Sequence, residues 1–175
     1  MIDTPFSIKV SNLHWLNNID DESDLCAHGD VFLKIGDEVI SNDLTQGVTV
    51  SATALYLLRS LTEDLNESNH DSQLIPCCGF LMYFDEQERL VIGGCPTGID
   101  WTIEHLPHHK VRHISENGTE AIIDKNEYQK IVYTFVDEIE NFYKNSSPKK
   151  LPTNDLERDT YLALWKEWRK LRDNI

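Results

Sequence analysis

The spacing of apolar residues changes at Asp124, and this change constrains the fold more than any other feature. From residue 74 to 124, short apolar runs are separated by turn-forming residues, which is typical of an antiparallel meander. The runs predict strands at residues 78–84, 89–92, 99–105, 110–115 and 119–123. Asn117 and Gly118 lie between the last two runs, and both tolerate the positive φ that a type I′ hairpin requires. The chain must therefore build an antiparallel sheet before Asp124.

Beyond Asp124 the apolar residues recur at three- and four-residue steps, which predicts a long amphipathic helix up to Tyr143. Asp124 followed by Glu127 resembles a capping box at its start. The same spacing predicts a helix over residues 50–65 and a second C-terminal helix over residues 155–173. Three helices are therefore expected, two of them after the sheet.

The N-terminal part predicts further strands. Apolar residues alternate with polar ones in residues 6–16, and again in residues 31–40 around Gly36, which suits a tight hairpin turn. Residues 146–152 contain two prolines and two lysines and are predicted to be a linker. The expected architecture is a single α+β domain over residues 1–175, with an antiparallel sheet of about six or seven strands and three helices.

The chain carries a formal net charge of -14, which disfavours nucleic-acid partners and anionic membranes. No apolar run approaches the roughly 20 residues that cross a bilayer, and the first residues lack the pattern of an export signal. We therefore expect a cytoplasmic protein whose four cysteines are reduced thiols.

The charge is distributed unevenly along the sequence. Residues 1–143 contain eight Lys and Arg against twenty-five Asp and Glu, whereas residues 144–175 contain eight against five. The simplest interpretation is that a basic C-terminal helix neutralises part of the acidic body. Recruitment of a basic partner is the alternative.

Two acidic clusters are the candidate partner-binding residues. The first cluster is Asp20, Asp21, Glu22 and Asp24, and the second cluster is Asp85, Glu86 and Glu88. A concentrated negative field speeds the capture of a basic protein. No catalytic, cofactor-binding or metal-binding residue is predicted, and no cofactor is expected.

Thiols and imidazoles provide an alternative. Cys95 lies in a glycine-rich segment, but that segment lacks the lysine of a phosphate-binding loop and the arginine of a cysteine phosphatase. Four histidines lie between His105 and His113, and a four-residue loop between their strands would place these two on opposite faces. A small enzyme or ligand-binding protein that uses Cys95 and these histidines remains the second hypothesis. A structural metal site joining them to Cys77, Cys78 or Cys95 is a third.

Several segments carry a resemblance to a class of proteins. They are Phe135-Val136-Asp137-Glu138-Ile139-Glu140-Asn141-Phe142-Tyr143, Pro148-Lys149-Lys150-Leu151-Pro152, Trp165-Lys166-Glu167-Trp168 and Gly94-Cys95-Pro96-Thr97-Gly98-Ile99-Asp100-Trp101. In these segments the chain resembles small acidic bacterial proteins that act as immunity partners or lie near toxin genes. The resemblance implies a non-enzymatic protein that masks a basic toxin such as a nuclease.

Overall fold

The computed structural model describes residues 4–42, 47–66, 73–79, 81–94 and 97–173. This part of the chain is α+β, with antiparallel strands and three α-helices, which confirms the predicted fold class. The strands are β1 (Phe6–His14), β2 (His28–Ile35), β3 (Glu38–Ser41), β4 (Val48–Thr49), β5 (Leu81–Phe84), β6 (Leu90–Gly93), β7 (Trp101–Leu106), β8 (Lys110–Ser115) and β9 (Glu120–Asp124). The helices are α1 (Val50–Arg59), α2 (Lys125–Lys144) and α3 (Asp155–Asp173).

The described strands form three sheets rather than one. β1, β2 and β3 lie side by side with β4 also paired to β2, β5 pairs with β6, and β7, β8 and β9 form a meander. The strands are antiparallel and most of their positions agree with the prediction, but they are divided among three small sheets where one sheet was expected. Between β6 and β7, Ile99 forms an isolated antiparallel bridge with Ile75.

Helix α1 lies in the core, and every one of its residues is buried. It ends at Arg59 and does not reach Leu65 as predicted. Leu61 and Leu65 are nevertheless buried. The amide and the carbonyl of Leu65 bond with Ile103, at 2.9 and 2.8 Å, so its main chain is engaged by strand β7 and unavailable to a helix.

The two C-terminal helices have the predicted bounds. Asp124 caps α2 by accepting the amide of Asn126 at 2.9 Å, and α2 buries one apolar face that includes Tyr128 and Phe135. Helix α3 buries Trp168, whose indole donates to Glu140 at 2.7 Å. Among the residues that the structure describes, no helix is long and apolar enough to cross a membrane.

Candidate functional site

The first acidic cluster is held against residues 146–152, the segment predicted as a linker. The Lys149 ammonium donates to a carboxylate oxygen of Asp20 at 2.8 Å and to the main-chain oxygen of Asp21 at 2.9 Å. The same ammonium lies 3.4 Å from the centroid of the Trp15 ring, and the Lys149 side chain is only 6% exposed. Lys149 therefore fixes the segment to the cluster through an ion pair and a cation–π contact.

These contacts favour the ionised form of the carboxylates. The Lys149 ammonium and the Ser147 amide lower the pKa of Asp20. The hydroxyl and amide of Ser23 lower the pKa of Asp21. Both residues are therefore negatively charged at neutral pH, and both stabilise main-chain structure in their own neighbourhood.

Glu22 and Asp24 complete this arrangement. The Lys150 amide donates to the main-chain oxygen of Glu22 at 2.7 Å, and the two side chains approach within 3.8 Å. The carboxylate of Asp24 accepts the amides of Leu16 at 2.6 Å and Cys26 at 3.2 Å. The first cluster thus shapes its own loop and anchors a distant part of the chain.

The second acidic cluster lies in the turn between β5 and β6. Asp85 accepts the amides of Gln87 at 2.9 Å and Arg89 at 2.8 Å, so its carboxylate organises the turn. Glu86 and Glu88 are exposed and form no ion pair within the described part of the chain. Their charges are free to act on solvent and on other molecules.

Intramolecular ion pairs engage more than half of the sixteen lysine and arginine side chains. They are Arg59, Arg89, Lys110, Arg112, Lys144, Lys149, Lys150, Arg158 and Arg172. Arg172 joins Asp137 and Glu140 on α2, and Lys149 and Lys150 join the first cluster. Through Arg172, the C-terminal helix α3 neutralises part of the acidic body as predicted, and Lys149 and Lys150 of the preceding segment do the same for the first cluster.

Several exposed carboxylates have no ion pair with a described residue. They are Asp21, Asp37, Glu86, Glu88, Glu116, Glu127, Glu138, Glu157 and Asp173. They lie on different elements, from the β1–β2 loop to helix α3. The unneutralised part of the charge is therefore spread over several elements and is not confined to the predicted clusters.

The β7–β8 hairpin carries four histidines, and its loop differs from the prediction. Three residues, 107–109, connect the paired strands, and His108 and His109 adopt φ values of 62° and 56°. In the register that this tighter loop sets, His105 and His113 are each paired with an apolar residue of the neighbouring strand. These apolar residues lie on one face of the hairpin, so the two imidazoles lie on that face as well. The predicted placement on opposite faces is therefore wrong.

The two imidazoles nevertheless do not form a shared site. The Nε2 atom of His105 is hydrogen-bonded to the main-chain oxygen of Ser60 at 2.9 Å. His113 is completely buried, stacks on Phe6 at 3.8 Å between ring centroids, and accepts the indole N–H of Trp101 at 3.2 Å. Burial lowers the pKa of His113 to about 3, so it is a neutral core residue at physiological pH.

The cysteines differ from the expectation of four reduced thiols. Cys77 is disulfide-bonded, whereas Cys26 and Cys78 are free. The expectation rested on the N-terminal sequence, which does not determine which sulfur atoms folding brings together. Cys95, central to the enzyme hypothesis, lies outside the described residues. Within the described ranges, no group of three or more His, Cys, Asp or Glu side chains could hold a metal ion.

Three depressions share lining residues near Leu25 and Cys26. The largest, which we call the thiol–imidazole cavity, has a volume of about 410 Å³. Its lining includes His14, His28, Asp24, Cys26 and Cys78. The residues come from β1, β2 and two loops, so no local sequence pattern indicated this cavity.

The other two depressions are smaller and extend the same surface. One, of about 280 Å³, is lined by Leu16, Ile19, Asp21, Asp24 and Leu25 among others. The second, of about 160 Å³, includes Leu25, Cys26, Leu81, Leu156 and Glu157. Because the three share lining residues, they adjoin one another.

In the thiol–imidazole cavity, the thiol of Cys26 is not an activated nucleophile. Burial, and then the Asp24 carboxylate, raise the pKa of Cys26 to about 12, so its thiol stays protonated. The Nδ1 atoms of His14 and His28 are hydrogen-bonded to main-chain oxygens, at 2.6 and 3.2 Å. No hydrogen bond joins a thiol to an imidazole in the part of the chain that is described. The pairing of nucleophile and base that covalent catalysis uses is therefore missing there.

Comparison with protein-family models, curated proteins and solved structures finds no match to this chain. The geometry and charge of the described residues are therefore the basis for a functional proposal.

Proposed function

We propose that this chain is a non-enzymatic binding protein that captures a basic protein, as an immunity protein masks a toxin. The observation that carries the proposal is the surplus of exposed carboxylates that no described cation neutralises, Glu86 and Glu88 foremost. A field of this sign raises the rate of encounter with a positively charged partner. The internal ion pairs strengthen the argument, since most of the chain's own cations are already engaged.

The chemistry of the thiols and imidazoles also favours binding over catalysis. His113 is a buried neutral side chain, His105 is bonded to the main chain, and Cys26 is a protonated thiol. A binding protein needs none of these groups to react. Covalent catalysis would need at least one nucleophile and base in contact.

The test is complex formation between the full chain and the basic proteins encoded beside its gene, measured by titration calorimetry at low and high salt. We expect a complex whose affinity falls on the order of tenfold as salt rises from about 50 to 200 mM, because screening weakens exposed charge pairs. The matched control is the double variant Glu86→Gln, Glu88→Gln, which should bind more weakly at low salt only. Failure to form any complex, or an affinity indifferent to salt, would contradict the proposal.

The thiol–imidazole cavity supports a second candidate function, the binding of a small apolar ligand. Its volume of about 410 Å³ lies within the usual range of ligand pockets, roughly 300–1,000 Å³. Alkylation of Cys78 with N-ethylmaleimide, followed by mass spectrometry, reports occupancy of the cavity, and buried Cys26 serves as the internal control. Protection of Cys78 by a metabolite extract stripped of protein would favour this function, and unchanged alkylation would count against it.

A further inference from the structure

The surface around Leu25 exposes apolar side chains that a monomer does not need to expose. Leu16 and Ile19 are each 61% exposed on one side, and Leu81 and Leu156 are 65% and 54% exposed on the other. All four line one of two depressions that share Leu25 as a lining residue. A connected group of exposed apolar residues around shallow depressions is typical of a protein-binding surface.

The charged residues of this surface have one sign. Asp21, Asp24 and Glu157 line the three depressions, and no lysine or arginine lines them among the described residues. Nearby Lys149 and Lys150 are directed to Asp20 and Glu22 instead. An apolar side chain bound here would therefore have carboxylates beside it.

Resting on the proposed function, we infer that the basic partner docks on this surface, which we call the apolar–acidic surface. It comprises Leu16, Ile19, Leu25, Leu81 and Leu156 with Asp21, Asp24 and Glu157. The occupant is a segment of the basic protein that presents an apolar side chain flanked by lysine or arginine. The apolar side chain enters the thiol–imidazole cavity, and its basic neighbours pair with the carboxylates.

Charge complementarity decides between this occupant and a second copy of the chain. A second copy would bring its own acidic surface to the same place, and like charges in a closed interface oppose association. A partner that is both basic and apolar forms favourable contacts with the carboxylates and with the exposed apolar side chains. Lys149 already forms contacts of this kind within the chain. Its ammonium lies over an aromatic ring and donates to carboxylate and main-chain oxygens.

The experiment titrates the full, isotope-labelled chain with three short synthetic peptides and follows the amide shifts by NMR. One peptide carries leucines among lysines, the second has serines in place of the leucines, and the third has glutamates in place of the lysines. We expect only the first to bind, with shifts centred on Leu16, Leu25, Leu81 and Leu156. It should also slow the alkylation of Cys78, which lines the thiol–imidazole cavity.

Two variants with matched controls sharpen the result. Leu81→Ser should weaken binding of the first peptide about tenfold, because it removes one exposed leucine from the contact. Ile122→Ser, a similarly exposed strand residue outside the three depressions, should not. Glu157→Gln should weaken binding at low salt, and Glu138→Gln on α2 should have a smaller effect.

The outcomes separate this inference from the proposed function. Shifts centred on another surface, or equal binding of the serine peptide, would overturn the docking surface and leave capture of a basic protein standing. Concentration-dependent shifts of the same leucines without peptide would assign the surface to a second copy and overturn the occupant. If neither the peptides nor the basic proteins bind, both the surface and the proposed function fail.

Discussion

The two acidic clusters have similar composition, but their carboxylates differ in the contacts they make within the chain. In the first cluster, Asp20 is joined to Lys149, and its neighbours bond to the main chain of residues 146–152 and of their own loop. In the second, Glu86 and Glu88 extend from the turn between β5 and β6 without an ion pair in the described chain. The difference teaches that a run of carboxylates in the sequence indicates negative charge only. Whether those carboxylates can bind another molecule depends on which cations of the same chain lie beside them in the fold.

The largest expected effect is the loss of stability at low pH that protonation of His113 causes. This effect sets the pH range in which the two acidic clusters can be compared. The His113 pKa of about 3 in the folded chain lies below the unfolded value of 6.5, so the unfolded chain binds protons more readily. This contribution to stability is complete above pH 6.5 and is lost as the pH falls towards 3. At about pH 4 we expect the free energy of unfolding to be lower by about 3 kcal/mol, measured by denaturant titration.

The variant His113→Asn removes this titration, and its stability should depend less on pH between 6.5 and 3. His109→Asn, in the exposed β7–β8 loop, is the matched control and should retain the wild-type slope. If the wild-type chain is equally stable across this range, the burial argument for His113 is wrong.

The next effect tests whether the first cluster is structural. Lys149→Met removes the ammonium from the Trp15 ring and from Asp20, and we expect a loss of about 2 kcal/mol from the desolvated cation–π contact alone. Urea unfolding measures it. Lys150→Met, whose side chain is largely exposed, should change stability by less than about 0.5 kcal/mol. Equal effects of the two substitutions would break the comparison.

A smaller effect concerns the pH dependence of the first cluster. Lys149 and the Ser147 amide lower the pKa of Asp20 below its ordinary 3.8. The stability that its carboxylate supplies is therefore present above pH 3.8 and is lost as the pH falls through the folded value. The difference in unfolding free energy between wild type and Asp20→Asn should narrow below pH 3.8. A difference that stays constant into strong acid would show that the charge of Asp20 is irrelevant.

The smallest effect belongs to the second cluster. Glu86→Gln with Glu88→Gln should leave the free energy of unfolding within about 0.5 kcal/mol of wild type, because neither carboxylate has a described partner to lose. Thermal unfolding at neutral pH is sufficient to check this. Asp85→Ala is the contrasting variant, since it removes the acceptor of two turn amides and should destabilise the β5–β6 hairpin.

Local chemistry made much of the fold predictable from the sequence. A hairpin turn forms at Asn117-Gly118, but only Gly118 has a positive φ, of 83°, so the predicted type I′ geometry is wrong. Asp124 caps α2 as predicted. Helices α2 and α3 follow from periodicity within one segment. Such features depend on residues a few positions apart, and the sequence displays those residues directly.

The candidate site was much less predictable. The acidic clusters were found from composition, but the pairing of Asp20 with Lys149 spans 129 positions. The apolar–acidic surface joins Leu16 to Leu156, and the thiol–imidazole cavity joins His14 to Cys78. None of these neighbours is close in sequence, so no periodicity or turn motif could reveal them.

The sequence by itself determined the α+β class, the positions of most strands, the two C-terminal helices and the excess of negative charge. Only the tertiary structure decided that the strands form three sheets, that α1 stops at Arg59, and that Asp20 and Glu22 pair with lysines while Glu86 and Glu88 have no ion pair among the described residues. The physical reason is the distance along the sequence between the residues that interact. Hydrogen-bonding patterns within an element depend on adjacent residues, whereas burial and ion pairing depend on what long-range packing brings into contact.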